Sequence, residues 1–201
     1  MRTVGITGGI GCGKSLAASF IKEEGFPVLD ADDLTRELWA DPAVVARVGE
    51  KLRERGYLAG EFTPRAVRAV AQRAFKDMQI INILEFVLQP LILEKMQEWL
   101  AAREKEGAEL VFVVVPLLFE CGLQYLFDAT ATINAANEIR ERRLQLSRPL
   151  SATDINLRFN RQWADWARSR YADHTIDNEG APEELRAKIV EFIKEEKSKA
   201  N

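Results

Sequence analysis

Four glycines crowd into six positions, Gly8, Gly9, Gly11 and Gly13, and Lys14 and Ser15 follow at once. Glycine weakens helices and strands alike, so so dense a cluster marks backbone that must turn sharply or lie against something. Thr3, Val4 and Ile6 run into it as a short β-rich strand, and a helical pattern leaves it from about Lys14 to Glu24. Strand, glycine loop and helix in that order is the setting in which G-x-x-x-x-G-K-[ST] binds phosphate. Backbone N–H groups can wrap a polyphosphate closely only where side chains do not intervene, and the helix adds its N-terminal N–H groups and positive dipole end. In this reading Lys14 reaches the β- and γ-phosphates and the Ser15 hydroxyl holds Mg²⁺. A nucleoside triphosphate is the expected ligand, with ATP the expected one. Cys12, inside the loop, is expected to lend only its backbone N–H.

Short apolar runs alternate with helical patterns along the rest of the chain. Phe26–Asp30, Glu109–Val115, Ala129–Asn134 and Asp173–Ile176 read as further strands. The run ELVFVVV does not alternate, which fits a parallel strand covered on both faces. Strands separated by helices predict an α/β fold, a five-stranded parallel sheet with crossover helices. Ile80, Ile81, Leu84, Val87, Leu88, Leu91 and Ile92 recur at helical spacing, and Pro90 is expected to kink that helix. The expected organisation is a single domain. Its core is about 1–32, 108–140 and 171–201, and a helical insertion spans about 33–107. Residues 140–170 hold eight arginines, no lysine and three acids. Arginine's planar fork matches phosphate oxygens, so this stretch is expected to form a lid over the phosphates.

Bulk composition narrows the partners. A net charge of −3 over 201 residues gives no global field toward nucleic acid or anionic membrane. The two cysteines, Cys12 and Cys121, form neither a metal cluster nor a disulfide framework, as suits a reducing compartment. The start MRTVGITGG has no apolar signal core, and the longest apolar run, Leu110–Phe119, is too short to span a bilayer. A soluble cytoplasmic protein without nucleic-acid or membrane partners is expected.

A phosphate loop does not name a reaction. No N-K-x-D for guanine occurs, and Asp177-Asn178-Glu179-Gly180 matches D-x-x-G only after the last strand. The strongest strand runs into Pro116 where a motor ATPase would carry an acid. Carboxylates cluster instead at Asp30, Asp32 and Asp33, at the end of the second strand. In an open α/β sheet that end faces the ligand crevice. If the strand continues, Asp30 and Asp32 point the same way, and Asp32 can accept a proton from an acceptor hydroxyl or hold Mg²⁺ water. The competing reading is that Asp32 or Asp33 caps the helix that follows. His174, the only histidine, has no partner motif and is assigned no role.

Together these stretches resemble the dephospho-coenzyme A kinase family almost end to end. Thr7–Ser15 is similar to its T-G-G-I-G-S-G-K-S, with Cys12 for serine, and Leu29-Asp30-Ala31-Asp32 to its I-D-A-D. Arg65–Phe75, Leu84–Ile92, Val115–Glu120 and the tail from Gln162 through Ala172-Asp173, Ile176, Asn178 and Gly180 follow in the family's order. The resemblance implies a three-layer P-loop kinase fold with a helical acceptor-binding insertion and an arginine-rich lid. It implies transfer of the ATP γ-phosphate, with Mg²⁺, to the ribose 3′-hydroxyl of dephospho-coenzyme A, which gives coenzyme A. Asp32 is then the base or orienter and Lys14 a charge stabiliser. Gly9, Gly11, Cys12, Gly13, Lys14, Ser15, Leu16 and Asn178 fall at ATP, with Ser15 on the metal. Thr7, Asp32, Arg65, Gln89, Pro116 and Leu117 fall at the acceptor, and Arg140, Arg143 and Arg148 in the lid. Three positions depart from the family pattern: Leu16 replaces a hydroxyl residue, Gln89 a histidine, and Arg148 is displaced by one position. Another small-molecule or nucleotide kinase of this fold, or a nucleotide-gated binding protein without turnover, are the alternatives.

Overall fold

A computed structural model of the chain describes residues 1–59, 63–147 and 152–200. β1 (Arg2–Gly8) leads through the glycine loop into α1 (Lys14–Glu23) and on to β2 (Val28–Asp30). A run of helices follows: α2 (Ala31–Ala40), α3 (Pro42–Glu54), α4 (Pro64–Ala71) and α5 (Met78–Lys105). Then come β3 (Leu110–Val114), β4 (Ala129–Asn134), α6 (Asn137–Ser147), α7 (Ala152–Phe159), α8 (Asp165–Tyr171), β5 (His174–Asp177) and α9 (Pro182–Ser198). The chain divides into two compact units, one of Met1–Asp30 and Leu100–Asn201, the other of Ala31–Trp99.

The first unit is built on the sheet. Its strands lie in the order β2-β3-β1-β4-β5. Every neighbouring pair is parallel, so all five carboxyl ends share one edge. β3 is buried at each of its five residues, as its unbroken apolar run requires. Val4, Ile6, Phe112, Val114, Ala131 and Ile133 meet Ala17, Phe20 and Ile21 of α1 and Leu185, Ile189 and Phe192 of α9 in one core. On the other face Gly5 leaves room for Leu118 and Phe127, whose carbons lie 2.7 Å from where its Cβ would stand. Carboxylates tie down the strand starts. Asp128 Oδ2 accepts from the N–H and hydroxyl of Thr3, at 2.7 and 2.9 Å. Asp173 Oδ2 does the same for Thr130, at 2.8 and 2.8 Å.

The second unit is helical, with a core of Leu38, Val45, Val48, Leu52, Val67, Ile81, Val87 and Leu88. Asp41 caps α3 by accepting from the Ala43 N–H at 2.8 Å, and Thr63 caps α4 at Ala66 at 3.2 Å. One local expectation changes here, at the end of β2. α5 is helical on both sides of Pro90. The carbonyl that Pro90 cannot serve belongs to Phe86, an exposed residue, and the next two residues, Val87 and Leu88, are buried. β2 stops at Asp30, so Asp30 and Asp32 do not share a strand face. Asp32 and Asp33 instead stand in the first turn of α2, where the helix dipole favours carboxylates. Asp33 pairs there with Arg36.

Candidate active site

β1 delivers the glycine loop to the carboxyl edge of the sheet, and α1 begins at Lys14. Gly13 sits at the helix N-cap with φ 101°, a conformation that side-chain-bearing residues avoid. A Cβ there would also stand 2.2 Å from the Asn178 amide nitrogen. The first bond of α1 runs from the Ala17 N–H to the Gly13 carbonyl, at 3.0 Å. The N–H groups of Lys14, Ser15 and Leu16 therefore have no carbonyl in their own helix to serve, which is the arrangement that receives an anion. Ser15 and Leu16 are exposed in this first turn. The Lys14 ammonium folds back and donates to the carbonyls of Gly8 and Gly9, at 2.7 and 3.1 Å. The Cys12 N–H closes the loop on the Gly9 carbonyl at 3.2 Å, and the Cys12 side chain is fully buried.

Distant parts of the chain grip this loop. The buried Asn178 amide donates to the Cys12 carbonyl at 2.8 Å, and its own N–H donates to the Asn134 carbonyl at 2.8 Å. Arg143 donates to the Asn178 carbonyl at 3.0 Å. Ile10 is held at both its polar groups. Its N–H donates to Gln162 Oε1 at 2.7 Å, and its carbonyl accepts from Arg140 Nε at 2.8 Å. Arg140 is 5% exposed and lies 4.2 Å above the Phe159 ring centre. Its guanidinium also donates to Asn137 Oδ1 at 3.2 Å and pairs with Asp165 at 3.4 Å. Burial pushes the Arg140 guanidinium below its ordinary pKa, and the nearby Asp165 carboxylate opposes that fall. Gly9 is small because Arg140 presses on it: a Cβ would meet the guanidinium at 2.2 Å. A cavity of about 770 Å³ opens beside Arg140, with Asn156, Phe159, Gln162 and Trp166 among its walls.

The positions singled out in the sequence divide between the two units. Gly9, Gly11, Cys12, Gly13, Lys14, Ser15, Leu16, Asn178, Arg140 and Arg143 gather around the loop in the first unit. Thr7 belongs to that unit too; it is fully buried and its hydroxyl donates to the Pro116 carbonyl at 3.4 Å, with Leu117 next in the chain. Asp32, Arg65 and Gln89 lie in the second unit, on α2, α4 and α5. Asp32 and Arg65 are exposed and Gln89 is half-buried. Arg148 lies outside the described residues. His174, left without a role, bonds through Nε2 to Glu196 at 2.8 Å. Sequence reasoning gave no role to Gln162, Asp165, Arg168 or Glu120. Gln162 and Glu120 stood inside motifs quoted from the chain, and that was the available signal.

The family model described as dephospho-CoA kinase matches residues 2–184. A Corynebacterium glutamicum protein named dephospho-CoA kinase is 33% identical over 201 residues, 97% of this chain and 100% of that protein. One from Anaeromyxobacter dehalogenans is 33% identical over 200 residues, covering 96% and 91%. Among solved structures, a Thermus thermophilus protein superposes with TM-score 0.71 at 30% identity, covering 96% of this chain and 97% of its own. The match at TM-score 0.67 to the dephospho-CoA kinase from Campylobacter jejuni, 22% identical and covering 100% of both chains, speaks for the fold alone. The phosphate loop at the sheet edge and a family match over nearly the whole length lead to one conclusion: this chain belongs to the dephospho-coenzyme A kinase family.

Proposed function

We propose that this chain performs the family's reaction at the loop of residues 8–15: transfer of the ATP γ-phosphoryl group to the ribose 3′-hydroxyl of dephospho-coenzyme A, the final step of coenzyme A biosynthesis. The observation that carries it is the gripped glycine loop between β1 and α1, in a chain of this family. Phosphoryl transfer asks a protein chiefly for positioning and for charge stabilisation. Lys14 exchanges its two loop carbonyls for β- and γ-phosphate oxygens when ATP is bound. The N–H groups at the start of α1 donate to further phosphate oxygens, and Gly9, Gly11, Cys12 and Gly13 shape the cradle. Leu16 contributes its backbone only, and Asn178 acts by holding the Cys12 carbonyl.

The residues present fit Mg²⁺. Among the described residues no group of three or more His, Cys, Asp or Glu is placed to hold a metal ion. That suits an ion that keeps its waters and takes most of its ligands from phosphates. The exposed Ser15 hydroxyl, next to Lys14, would hold it. Bound there, the ion would neutralise charge on the β- and γ-oxygens.

Asp32 is assigned the acceptor's proton and the in-line placement of its oxygen. This rests on chain order: β2 ends at the same sheet edge as the loop, and Asp32 follows its last residue by two. The helical unit, through Arg65 and Gln89, together with Thr7, Pro116 and Leu117, is assigned to the acceptor, and Arg140 and Arg143 to the lid side of the loop. Among the described residues no helix is long and apolar enough to cross a membrane, and a cytoplasmic location fits this chemistry.

An ADP-release assay run separately on dephospho-coenzyme A, shikimate, gluconate and nucleoside monophosphates tests the assignment, with phosphorus NMR locating the new ester. Turnover on dephospho-coenzyme A is expected. Turnover on another acceptor alone, or ATP binding with none, overturns the reading. Asp32→Asn is expected to lower kcat by about 10²–10⁴ and to change ATP affinity less than about tenfold. A kcat within about threefold of the parent would move the base elsewhere.

A further inference from the structure

We propose that Arg168 is a positioning residue for ATP: it fixes Asp165, and through it Arg140, so that the loop is held at Ile10. The inference rests on the reading of residues 8–15 as the ATP site.

Arg168 lies on α8 with none of its side chain exposed. Its guanidinium donates to the Trp163 carbonyl and to Asp165 Oδ1, and lies 3.6 Å from Glu120 Oε1. The same Asp165 oxygen faces Arg140 at 3.4 Å. One carboxylate oxygen thus stands between two buried guanidinium groups. Glu120 Oε1 also accepts from the Trp163 N–H at 2.8 Å. The short segment Gln162–Asp165 is therefore pinned at Trp163 N, Trp163 O and Asp165. From that segment two contacts reach the loop, Gln162 directly to the Ile10 N–H and Asp165 by way of Arg140 to the Ile10 carbonyl. Arg168 makes two of the three pins, one at Trp163 and one at Asp165.

Stability alone accounts poorly for this arrangement. A fully buried charge is expensive to desolvate, and apolar replacements of like volume often serve a core as well or better. The network is also incompletely satisfied: Arg168 Nε and Glu120 Oε2 are buried with no hydrogen-bond partner among the described residues. A guanidinium does what an apolar side chain cannot, because its fixed fork sets the positions of a carbonyl and a carboxylate together. The carboxylate so placed is one of the groups that hold Arg140, with Asn137 Oδ1 and the Ile10 carbonyl, and Arg140 lies against Gly9 with no slack. A displacement of about 1 Å at a reacting group is enough to cost about a hundredfold in rate.

The test compares Arg168→Met, Arg168→Lys and Asp165→Asn by thermal melting, by direct ATP titration in a calorimeter and by steady-state kinetics. Arg168→Met is expected to weaken ATP binding by about tenfold or more while KM for the acceptor stays within about twofold, and Arg168→Lys recovers part of the loss. In an Arg140→Met background the effect of Arg168→Met on ATP binding should shrink below about twofold, because the second residue acts through the first. Asp165 is a quarter exposed, so Asp165→Asn reports on the same link if Arg168→Met does not fold, and weakened ATP binding is expected there too. A folded Arg168→Met, or failing that Asp165→Asn, that binds ATP within about twofold of the parent overturns the proposal, and so does full additivity with Arg140→Met. A parent that binds ATP but does not phosphorylate dephospho-coenzyme A overturns the acceptor assignment and leaves this inference standing.

Discussion

Lys14 directs its ammonium to two carbonyl oxygens of its own loop, at 2.7 and 3.1 Å, rather than to a carboxylate. Replacing it removes a charge that the proposed mechanism assigns to phosphate, and little packing. Lys14→Ala is therefore expected to cut kcat/KM by about 10² or more, with melting within about 2 °C of the parent. A variant that melts normally and turns over at the parental rate would remove Lys14 from the mechanism. Glu196 is the opposite case, a charged group that serves the fold. It is fully buried, and accepts from Arg2 Nε and Lys199 Nζ, each at 2.8 Å. Burial pushes its carboxyl up, but the bonds and charges of Lys199 and Arg2 outweigh burial and hold it below the ordinary glutamate value. With the folded pKa below the unfolded one, the stabilisation is complete above the ordinary glutamate range and is lost as pH falls through the folded value. Glu196→Gln should cost about 2 kcal/mol at neutral pH, and its melting gap to the parent should close as the solution is acidified. Melting curves from neutral pH into that range decide it; a gap constant with pH would assign the loss to packing.

At the scale of the element, the loop into α1 is the part most tightly specified. Gly13→Ala places a side chain at φ 101° and against the Asn178 amide that holds the Cys12 carbonyl. Such strain costs about 1–3 kcal/mol, or roughly 2–12 °C in melting for a chain of this size, and ATP affinity should fall with it. Melting unchanged together with ATP affinity unchanged would show that the loop adapts at no cost. This element was legible in the sequence because everything that defines it lies within a dozen consecutive residues. The strands were legible for the same reason, and each fell within two residues of its expected ends. The end of β2 was harder. Asp30-Ala31-Asp32 fits a continuing strand and a helix start equally well, and the helix prevailed because carboxylates suit its first turn.

At the scale of the whole molecule, the chain forms two compact units, that of the sheet and the helical unit Ala31–Trp99. If the helical unit serves the acceptor, Gln89→His, which restores the residue usual in the family, should lower KM for dephospho-coenzyme A by about threefold to tenfold, the worth of about one hydrogen bond. KM for ATP should hardly move. An effect confined to ATP would remove the acceptor role from that unit. Sequence by itself determined the alternation of strands and helices, the parallel sheet, the phosphate loop and the family. All of these are written in residue spacing over short stretches, where hydrophobic period and glycine placement act directly on the backbone. Only the tertiary structure decided what holds the loop. Arg140 and Gln162 meet Ile10 across 130 and 152 residues of chain, and Asn178 meets Cys12 across 166. No period or motif encodes which distant polar groups will face one another. The sheet brings the ends of β1, β4 and β5 side by side, and once these groups are buried together each must find a partner there.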